Sequence, residues 1–216
     1  MTPRALAAAL ILTLSASARA ERVLIIADSH TVGPFGVTLD ARLREKGNDT
    51  AMDAVCGASV NWWLGPKRQK LSICWSIHDF GEKNSPQTGA PPREPDAVVD
   101  LAARKVDVVV IALGSNPDGP SGADTAAAAE KLIALLPGNA RCYWVGPPPM
   151  PQRLAAIQSV YKELPQALVR AARGGPSCSL IDSRTMIEPK DAAPNDHFYG
   201  APAVAWGKAV ADKISP

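Results

Sequence analysis

Short runs of apolar residues alternate along the chain with longer amphipathic stretches. The apolar runs have the length of strands and no regular alternation with polar residues, and they lie at 23–27, 50–55, 106–113, 142–146 and 179–182. The amphipathic stretches carry apolar residues at helical spacing, at 37–46, 98–104, 124–136, 154–172 and 203–214. Strands that are apolar on both faces predict a sheet that is covered on both sides. We therefore predict a three-layer α/β/α fold with a parallel sheet of about five strands.

Small and polar residues follow the first three predicted strands. Asp28 and Ser29 come directly after the first strand, Gly57 follows the second and Asn116 follows the third. Near the carboxyl terminus, His197 precedes the last predicted helix. The carboxyl ends of parallel strands open into a shared crevice, and a helix that begins there offers N–H groups to an anion, so Ser29 is positioned as a nucleophile. The alternative is that Asp28 and Ser29 only cap the helix.

This series of residues resembles the sequence blocks of the SGNH (GDSL-like) hydrolase superfamily. Ser29 matches the serine of block I, Gly57 the glycine of block II, Asn116 the asparagine of block III and His197 the histidine of block V. The resemblance implies a flavodoxin-like α/β/α hydrolase in which Ser29 attacks an ester carbonyl after His197 takes its proton. It also implies an oxyanion hole formed by the backbone N–H groups of Ser29 and Gly57 and the side-chain amide of Asn116.

Two positions depart from the blocks of this superfamily. Ala27 stands where block I begins with glycine, and Pro194 stands where block V has the aspartate of the catalytic triad. Asp196 and Asp191 are nearby candidates for the missing acid. The other interpretation is a Ser-His dyad whose imidazole is held by a backbone carbonyl or by water. Loss of an orienting carboxylate lowers the rate of such a site without abolishing catalysis.

The amino terminus has the three parts of a secretory signal peptide. A basic start at 1–4 is followed by an apolar run at 5–14 and by Ala-Arg-Ala at 18–20, which is a cleavage site of the A-x-A type. We predict that residues 1–20 are removed and that residues 21–216 form a single hydrolase-type domain; an uncleaved anchor is the alternative. The apolar run is too short for a stable membrane span, so no stable insertion is expected after cleavage. The expected location is secreted or periplasmic.

The charge of the chain argues against nucleic-acid binding. The sequence has 23 basic and 21 acidic residues, and two of the basic residues, Arg4 and Arg19, belong to the leader. The mature chain is therefore neutral by formal charge, whereas nucleic-acid binders concentrate positive charge on one face. We expect no nucleic-acid partner.

Four cysteines in an exported chain predict two disulfides. A bridge between Cys142 and Cys178 would join neighbouring parallel strands, and Cys56 would then pair with Cys74. Free buried thiols are the alternative. The chain has no Cys-x-x-Cys spacing and its three histidines are scattered. The sequence therefore predicts no metal site and no cofactor.

The segment 61–95 has no clear period and is predicted to be an irregular insertion near the active site. Long irregular loops in compact domains tend to be functional or disordered, and this one follows the expected oxyanion glycine. Trp62 and Trp63 are candidates for binding a sugar ring or an acyl chain. The alternative is that they form a small core beneath the loop, because tryptophan is highly buried on average. His78, in the same segment, is expected to be solvated.

Together these features predict an exported serine esterase that hydrolyses carboxylic esters through an acyl-enzyme. Exported SGNH members with small domains often act on acetylated carbohydrates, so the resemblance implies O-acetyl esters of a polysaccharide or peptidoglycan as substrate. A lipase or thioesterase is the alternative enzyme. The alternative from another class is a noncatalytic carbohydrate-binding module on the same scaffold, which Pro194 favours because it replaces the triad acid.

Overall fold

A seven-stranded sheet forms the middle layer of the protein, in a computed structural model that describes residues 19–65, 74–84, 86–88, 96 and 98–214. The strands are β1 (Arg22–Ala27), β2 (Asp49–Val55), β3 (Cys74–His78), β4 (Gln87–Thr88), β5 (Val108–Ala112), β6 (Arg141–Val145) and β7 (Cys178–Ile181). The α-helices are α1 (Ser29–Val32), α2 (Pro34–Glu45), α3 (Val60–Leu64), α4 (Val98–Ala102), α5 (Gly122–Ala134), α6 (Leu154–Ala171) and α7 (Gly200–Lys213).

The order of the strands across the sheet is β4-β3-β2-β1-β5-β6-β7. Strands β2, β1, β5, β6 and β7 are parallel, whereas β3 and β4 are antiparallel additions at one edge. The chain passes from β1 to β2 on one side and later returns to β5 on the other side, so the strand order reverses between β1 and β5. The crevice outside the carboxyl ends of β1 and β5 is therefore the expected ligand-binding position of this topology.

The sheet separates two apolar cores, one on each face. Successive residues of a strand point to opposite faces, so Leu24 of β1 belongs to one core and Ile25 to the other. The first core contains residues from α3, α4, α5 and α6, including the fully buried Trp63. The second core is formed with α2 and α7. This arrangement explains why the central strands are apolar throughout and confirms the predicted three-layer architecture.

Close packing of α2 against α7 fixes the last helix of the chain. The rings of Phe35 and Trp206 stack with their centroids 3.7 Å apart. Beside them, a Cβ on Gly207 would lie 2.6 Å from the carbonyl oxygen of Phe35, so only glycine allows this approach of the two helices. The loop that precedes α7 carries His197, and its downstream end is therefore held by a rigid helix pair.

Both predicted disulfides are present. Cys142 and Cys178 are paired residues of the neighbouring strands β6 and β7, with their Cα atoms 4.3 Å apart. Cys56 follows β2 and is bonded to Cys74 at the start of β3, with a Cα separation of 5.4 Å. The second bridge ties the residue before Gly57 to the antiparallel edge of the sheet.

Most of the predicted elements are observed with boundaries shifted by a few residues, but four short ones were not predicted. Helix α1 and parts of the segment 61–95, namely most of α3 together with β3 and β4, are regular structure. The predicted leader, except its last two residues, lies outside the described part of the chain. Within the described part, no helix is long and apolar enough to cross a membrane.

Candidate active site

An open cleft of about 550 Å³ lies at the carboxyl edge of the sheet, at the point where the strand order reverses. Ser29 enters it from the start of α1, directly after β1. Gly57, which follows β2, and Asn116, which follows β5, form another part of the wall. His197 enters from the loop before α7. The structure thus brings together four residues that are widely separated in the sequence.

Ser29 and His197 are in direct hydrogen-bond contact. The distance between Ser29 Oγ and His197 Nε2 is 2.9 Å, and both side chains are only partly buried. On the other side of the ring, His197 Nδ1 lies 2.9 Å from the backbone carbonyl oxygen of Asn195. Because a carbonyl can only accept a hydrogen bond, Nδ1 carries the proton in the neutral imidazole, and the lone pair of Nε2 faces the serine hydroxyl. This is the tautomer that a general base for Ser29 requires.

Neither candidate acid contacts the imidazole of His197. The Oδ1 of the Asp196 carboxylate accepts a hydrogen bond from the backbone N–H of Gln152 at 3.0 Å. Asp191 lies in a short 3₁₀ turn and lines a different surface groove, together with Arg184. The partner of Nδ1 is the Asn195 carbonyl, which corresponds to the dyad interpretation.

Backbone geometry turns the Asn195 carbonyl toward the ring. Asp196 has φ 62°, the left-handed conformation, and it is the one residue other than glycine in the described chain with positive φ. The φ angle of Asp196 helps to set the orientation of the preceding peptide group, whose oxygen is the Asn195 carbonyl. Aspartate and asparagine tolerate this conformation better than most residues. The turn is closed by hydrogen bonds from Asp196 N to Ala193 O and from Ala193 N to His197 O.

Candidate donors for an oxyanion come from three residues of the cleft. Gly57 has φ 80°, a conformation that glycine adopts without strain, and it exposes its backbone to the cleft. Asn116 Nδ2 donates one hydrogen bond to the carbonyl of Ala58 at 3.0 Å, which fixes the amide and leaves its second hydrogen. The N–H of Ser29 begins α1. These are the three predicted oxyanion donors, and each belongs to a residue that lines the cleft.

The two neighbours of Ser29 are buried and have strongly shifted pKa values. Burial raises the pKa of Asp28 to about 7, although a hydrogen bond from the His30 N–H, the nearby Ser115 and the positive charge of Arg153 all lower it. Asp28 Oδ1 accepts the His30 N–H at 3.1 Å and so caps α1, as the alternative interpretation of this motif expected. Asp28 Oδ2 is buried and has no hydrogen-bond partner of standard geometry within the described residues.

His30 supports the ring of His197. Their ring centroids are 4.8 Å apart with an interplanar angle of 27°, and His30 Nε2 lies 3.3 Å from the sulfur of Met150. Burial, together with the positive charges of His197 and Arg153, lowers the pKa of His30 to about 3. His30 is therefore neutral at ordinary pH and provides a packing surface for His197 without a competing charge.

Aromatic residues near the cleft differ from the prediction. Trp63 has no exposed surface and packs in the core, so it is not available to a ligand. Trp62 is partly exposed, packs edge-on against Trp63 and does not line the cleft. The aromatic residue at the cleft is Tyr199, which is 50% exposed and lies 6.2 Å from the His197 ring. Sequence reasoning missed Tyr199, although its position two residues after His197 was a usable signal.

A serine hydroxyl, an imidazole with its basic nitrogen toward that hydroxyl, and a group of N–H donors make up the site of a serine hydrolase. No cluster of three or more histidine, cysteine or acidic side chains suited to a metal ion is found within the described ranges.

Comparisons with known proteins agree on the fold. No protein-family profile and no curated sequence matches the chain. The structure is similar to a family 3 carbohydrate esterase of Clostridium thermocellum, with a TM-score of 0.60 and 11% identity over 89% of this chain and 94% of the other. It is similar to a family 3 carbohydrate esterase of Talaromyces cellulolyticus, with a TM-score of 0.59 and 8% identity over 90% and 100%.

A third similar structure is the C-terminal catalytic domain of Streptococcus pneumoniae peptidoglycan O-acetyltransferase A, solved with a methylsulfonyl adduct. Its TM-score is 0.52, with 14% identity over 90% of this chain and 93% of that domain. At such identities the similarity shows the fold. The predicted α/β/α fold is thereby confirmed.

Proposed function

We propose that the protein is an exported serine esterase that hydrolyses O-acetyl esters of a polysaccharide or of peptidoglycan through an acyl-enzyme. The observation that carries this proposal is the 2.9 Å contact between Ser29 Oγ and His197 Nε2, with the opposite ring nitrogen held by the Asn195 carbonyl. A nucleophile bonded to a base that is itself oriented by a third group is the arrangement of activated serines.

The first half of the reaction forms an acetyl-serine. Ser29 Oγ attacks the acetyl carbonyl carbon while His197 Nε2 takes the hydroxyl proton. The negative charge on the carbonyl oxygen is stabilised by the Ser29 N–H, the Gly57 N–H and the free hydrogen of the Asn116 amide. When the tetrahedral intermediate collapses, the bond to the sugar oxygen breaks and His197 returns the proton to that oxygen. The deacetylated sugar then leaves.

The second half repeats these steps with water as the nucleophile. His197 takes a proton from water, the hydroxide attacks the acetyl-serine, and the intermediate collapses to acetate and Ser29 as His197 returns the proton to Oγ. A neutral carbonyl stabilises the imidazolium less than a carboxylate does. We therefore expect slower turnover than in enzymes with a complete triad.

Acetylated glycans are the substrate class with the best support. Two of the similar structures are carbohydrate esterases and the third is a peptidoglycan O-acetyltransferase domain. The cleft is open, and Tyr199 offers an exposed aromatic face at its rim. Export is supported by the leader pattern and by the two disulfides, which persist in oxidising compartments.

The test is hydrolysis of p-nitrophenyl acetate by the mature protein from Glu21 onward, with Ser29→Ala in parallel. Ser179→Ala, which changes an exposed serine of β7, is the matched control. We expect turnover in the parent and in the control and only background rate in Ser29→Ala. A fluorophosphonate probe should label the first two proteins and not the third.

Chain length of the acyl group separates the esterase classes. Activity that rises from acetate to octanoate esters would favour the lipase or thioesterase alternative. Release of acetate from acetylated xylan or from acetylated peptidoglycan would assign the substrate. If the parent and Ser29→Ala are equally inactive and neither is labelled, the noncatalytic carbohydrate-binding module is the better description.

A further inference from the structure

A second cavity of about 510 Å³ lies at the same edge of the sheet as the catalytic cleft. One loop separates the two. Asn116 faces the catalytic cleft, whereas its neighbours Ser115 and Pro117 face the second cavity. The first turn of α6 and the start of α5 complete the wall. The volume is in the range of small-molecule sites, which is about 300–1,000 Å³.

The described lining of this cavity contains one charged side chain, Arg153. Hydroxyl and amide groups come from Ser121, Ser159 and Gln152, and apolar surface comes from the first turn of α6. Two acidic residues adjoin this wall. Asp124 lies behind Gly119 and is bonded to Ser121, and Asp118, between the lining residues Pro117 and Gly119 in the sequence, accepts the Asn61 N–H. The cavity therefore combines one positive charge with neutral hydrogen-bonding groups and apolar surface.

Arg153 differs from most other arginines of the described chain. Six of them form ion pairs with carboxylates: Arg42, Arg44, Arg104, Arg141, Arg170 and Arg184. Arg153 is exposed and donates from Nη1 to the carbonyl of Ser115 at 2.9 Å, and it has no ion pair with a described acidic residue. A guanidinium has five N–H donors in a rigid fork, so this one bond fixes the group and leaves donors for a ligand.

We infer that the second cavity binds the carboxylate of an acidic saccharide unit through Arg153. The inference rests on the proposed function, because it makes this unit part of the acetylated glycan whose ester reaches Ser29. A planar fork matches a carboxylate with two parallel hydrogen bonds. One cation balances the single charge of a uronate, whereas a phosphate carries more charge than Arg153 alone can balance. Hydroxyl groups beside apolar surface suit the two kinds of surface on a sugar ring.

Kinetics with a matched pair of substrates test this inference. The pair is an acetylated oligosaccharide that carries a glucuronate unit and the same acetylated oligosaccharide without it. We expect Arg153→Gln to lower the ratio of kcat/KM, acidic over neutral substrate, by about tenfold to a hundredfold. Arg153→Lys should recover part of the ratio, because it restores the charge without the fork.

The matched control is Arg173→Gln. Arg173 is exposed, follows the other end of α6 and lies about 27 Å along the helix axis from its start. The control removes the same charge at a distance and should leave the ratio unchanged. An unchanged ratio in Arg153→Gln, or an equal fall in Arg173→Gln, would overturn the inference.

A binding measurement separates this inference from the proposed esterase activity. In the Ser29→Ala background, calorimetry with an unacetylated glucuronate oligosaccharide should show binding that Arg153→Gln removes. If the parent has no esterase activity but this binding is found, the proposed function fails and the site remains. Absence of binding, or stronger binding of inorganic phosphate that displaces the uronate, would overturn the site as assigned.

Discussion

The two ends of the sheet each place a histidine near a buried aspartate, yet the two regions are built in opposite ways. At the carboxyl edge, Asp28 is buried next to Ser29, and His197 contacts that serine from an open cleft. At the amino edge, Asp40 of α2 lies 3.4 Å from the ring of His78 at the end of β3, and both side chains are almost fully buried. The first region faces solvent, and the second is enclosed.

The amino-edge cluster is held together by several hydrogen bonds. Arg44 donates from Nε to both carboxylate oxygens of Asp40, and its Nη2 donates to the Thr50 carbonyl at 3.0 Å and to His78 Nδ1 at 3.3 Å. The Thr50 hydroxyl also donates to Asp40. His78 Nδ1 also lies 3.3 Å from the carbonyl oxygen of Asp79, and its Nε2 faces Asp40 Oδ1 at 3.4 Å. Asp40 and His78 are almost fully buried, so neither is accessible to a substrate.

The pKa values of the two aspartates are shifted in opposite directions. Burial favours the neutral form of each, and at Asp28 it prevails and raises the pKa to about 7. At Asp40 the hydrogen bonds from His78 and Thr50 and the charges of His78 and Arg44 outweigh burial, so the pKa is lowered. A His-Asp pair is therefore not by itself a sign of catalysis. What distinguishes the carboxyl end is that Ser29 and His197 open to a cleft, whereas Asp40 and His78 are enclosed.

Separate substitution of His197 and His78 should give the largest difference in kcat between the two ends of the sheet. His197→Ala removes the base of the proposed reaction and should lower kcat for p-nitrophenyl acetate by at least about a thousandfold, with little change in Tm. His78→Gln should lower Tm and keep kcat within a few-fold of the parent, because His78 lies at the far edge of the sheet. Comparable losses of kcat in the two variants would show that the ends of the sheet are not separate in function.

Removal of the Asp40 carboxylate should destabilise the fold. Asp40→Ala leaves His78 and Arg44 without their shared acceptor, and loss of one partner of a buried pair costs about 3–5 kcal/mol. The measurement is urea unfolding followed by circular dichroism, with Asp212→Ala as a control for an exposed acid at a weak ion pair. The folded fraction of Asp40→Ala should retain its esterase activity. A loss below 1 kcal/mol, within the roughly 0–1 kcal/mol of surface pairs, would contradict a structural role.

Asp28 should make the free energy of unfolding fall as pH rises. Its pKa in the folded state is about 7, above the ordinary value of 3.8, so the folded state holds its proton more tightly than the unfolded state. The stabilisation is complete below pH 4 and is lost between pH 4 and 7. We expect Asp28→Asn to match the parent near pH 4 and to be more stable near pH 8, by at most roughly 4 kcal/mol. A difference in the free energy of unfolding between the two proteins that stays constant from pH 4 to 8 would contradict this expectation.

The sequence predicted the central strands and the positions that meet at the cleft because both depend on local patterns. Apolar runs identify strands that are covered on both faces, and Ser29 and Asn116 follow such runs directly. Strand β3 was missed because it is held by antiparallel pairing with β2, a long-range contact that no local pattern records. The same contact buries His78, so the prediction that this residue is solvated was wrong.

The partner of the His197 ring could not be identified from residue types. It is a main-chain carbonyl, which every residue possesses, and its direction depends on a single backbone angle at Asp196. The tryptophans of α3 illustrate a similar limit, since composition does not distinguish an exposed Trp63 from one that fills a core.

Substitution of Asp196 should give the smallest change in kcat. It tests whether the backbone angle at Asp196 directs the Asn195 carbonyl to the His197 ring. Asparagine tolerates left-handed φ and can accept the Gln152 N–H, so Asp196→Asn should keep kcat within a few-fold of the parent. Asp196→Gly keeps the backbone angle and loses the side-chain hydrogen bond, so its kcat should fall by about threefold to tenfold. Asp196→Ala loses both. The left-handed conformation costs alanine roughly 1–2 kcal/mol and the side-chain hydrogen bond is lost as well, so we expect kcat to fall by about tenfold to a hundredfold.

This order of effects distinguishes a positioning residue from a triad acid. If the Asp196 carboxylate acted on the His197 ring, asparagine would be as damaging as the roughly 10⁴-fold loss known for triad aspartates, and glycine would not be milder than alanine. A second readout does not depend on activity. In the parent and in Asp196→Asn, nitrogen NMR should find the neutral His197 ring protonated at Nδ1, whereas Asp196→Ala should show a mixture of the two tautomers, because the Asn195 carbonyl no longer faces the ring.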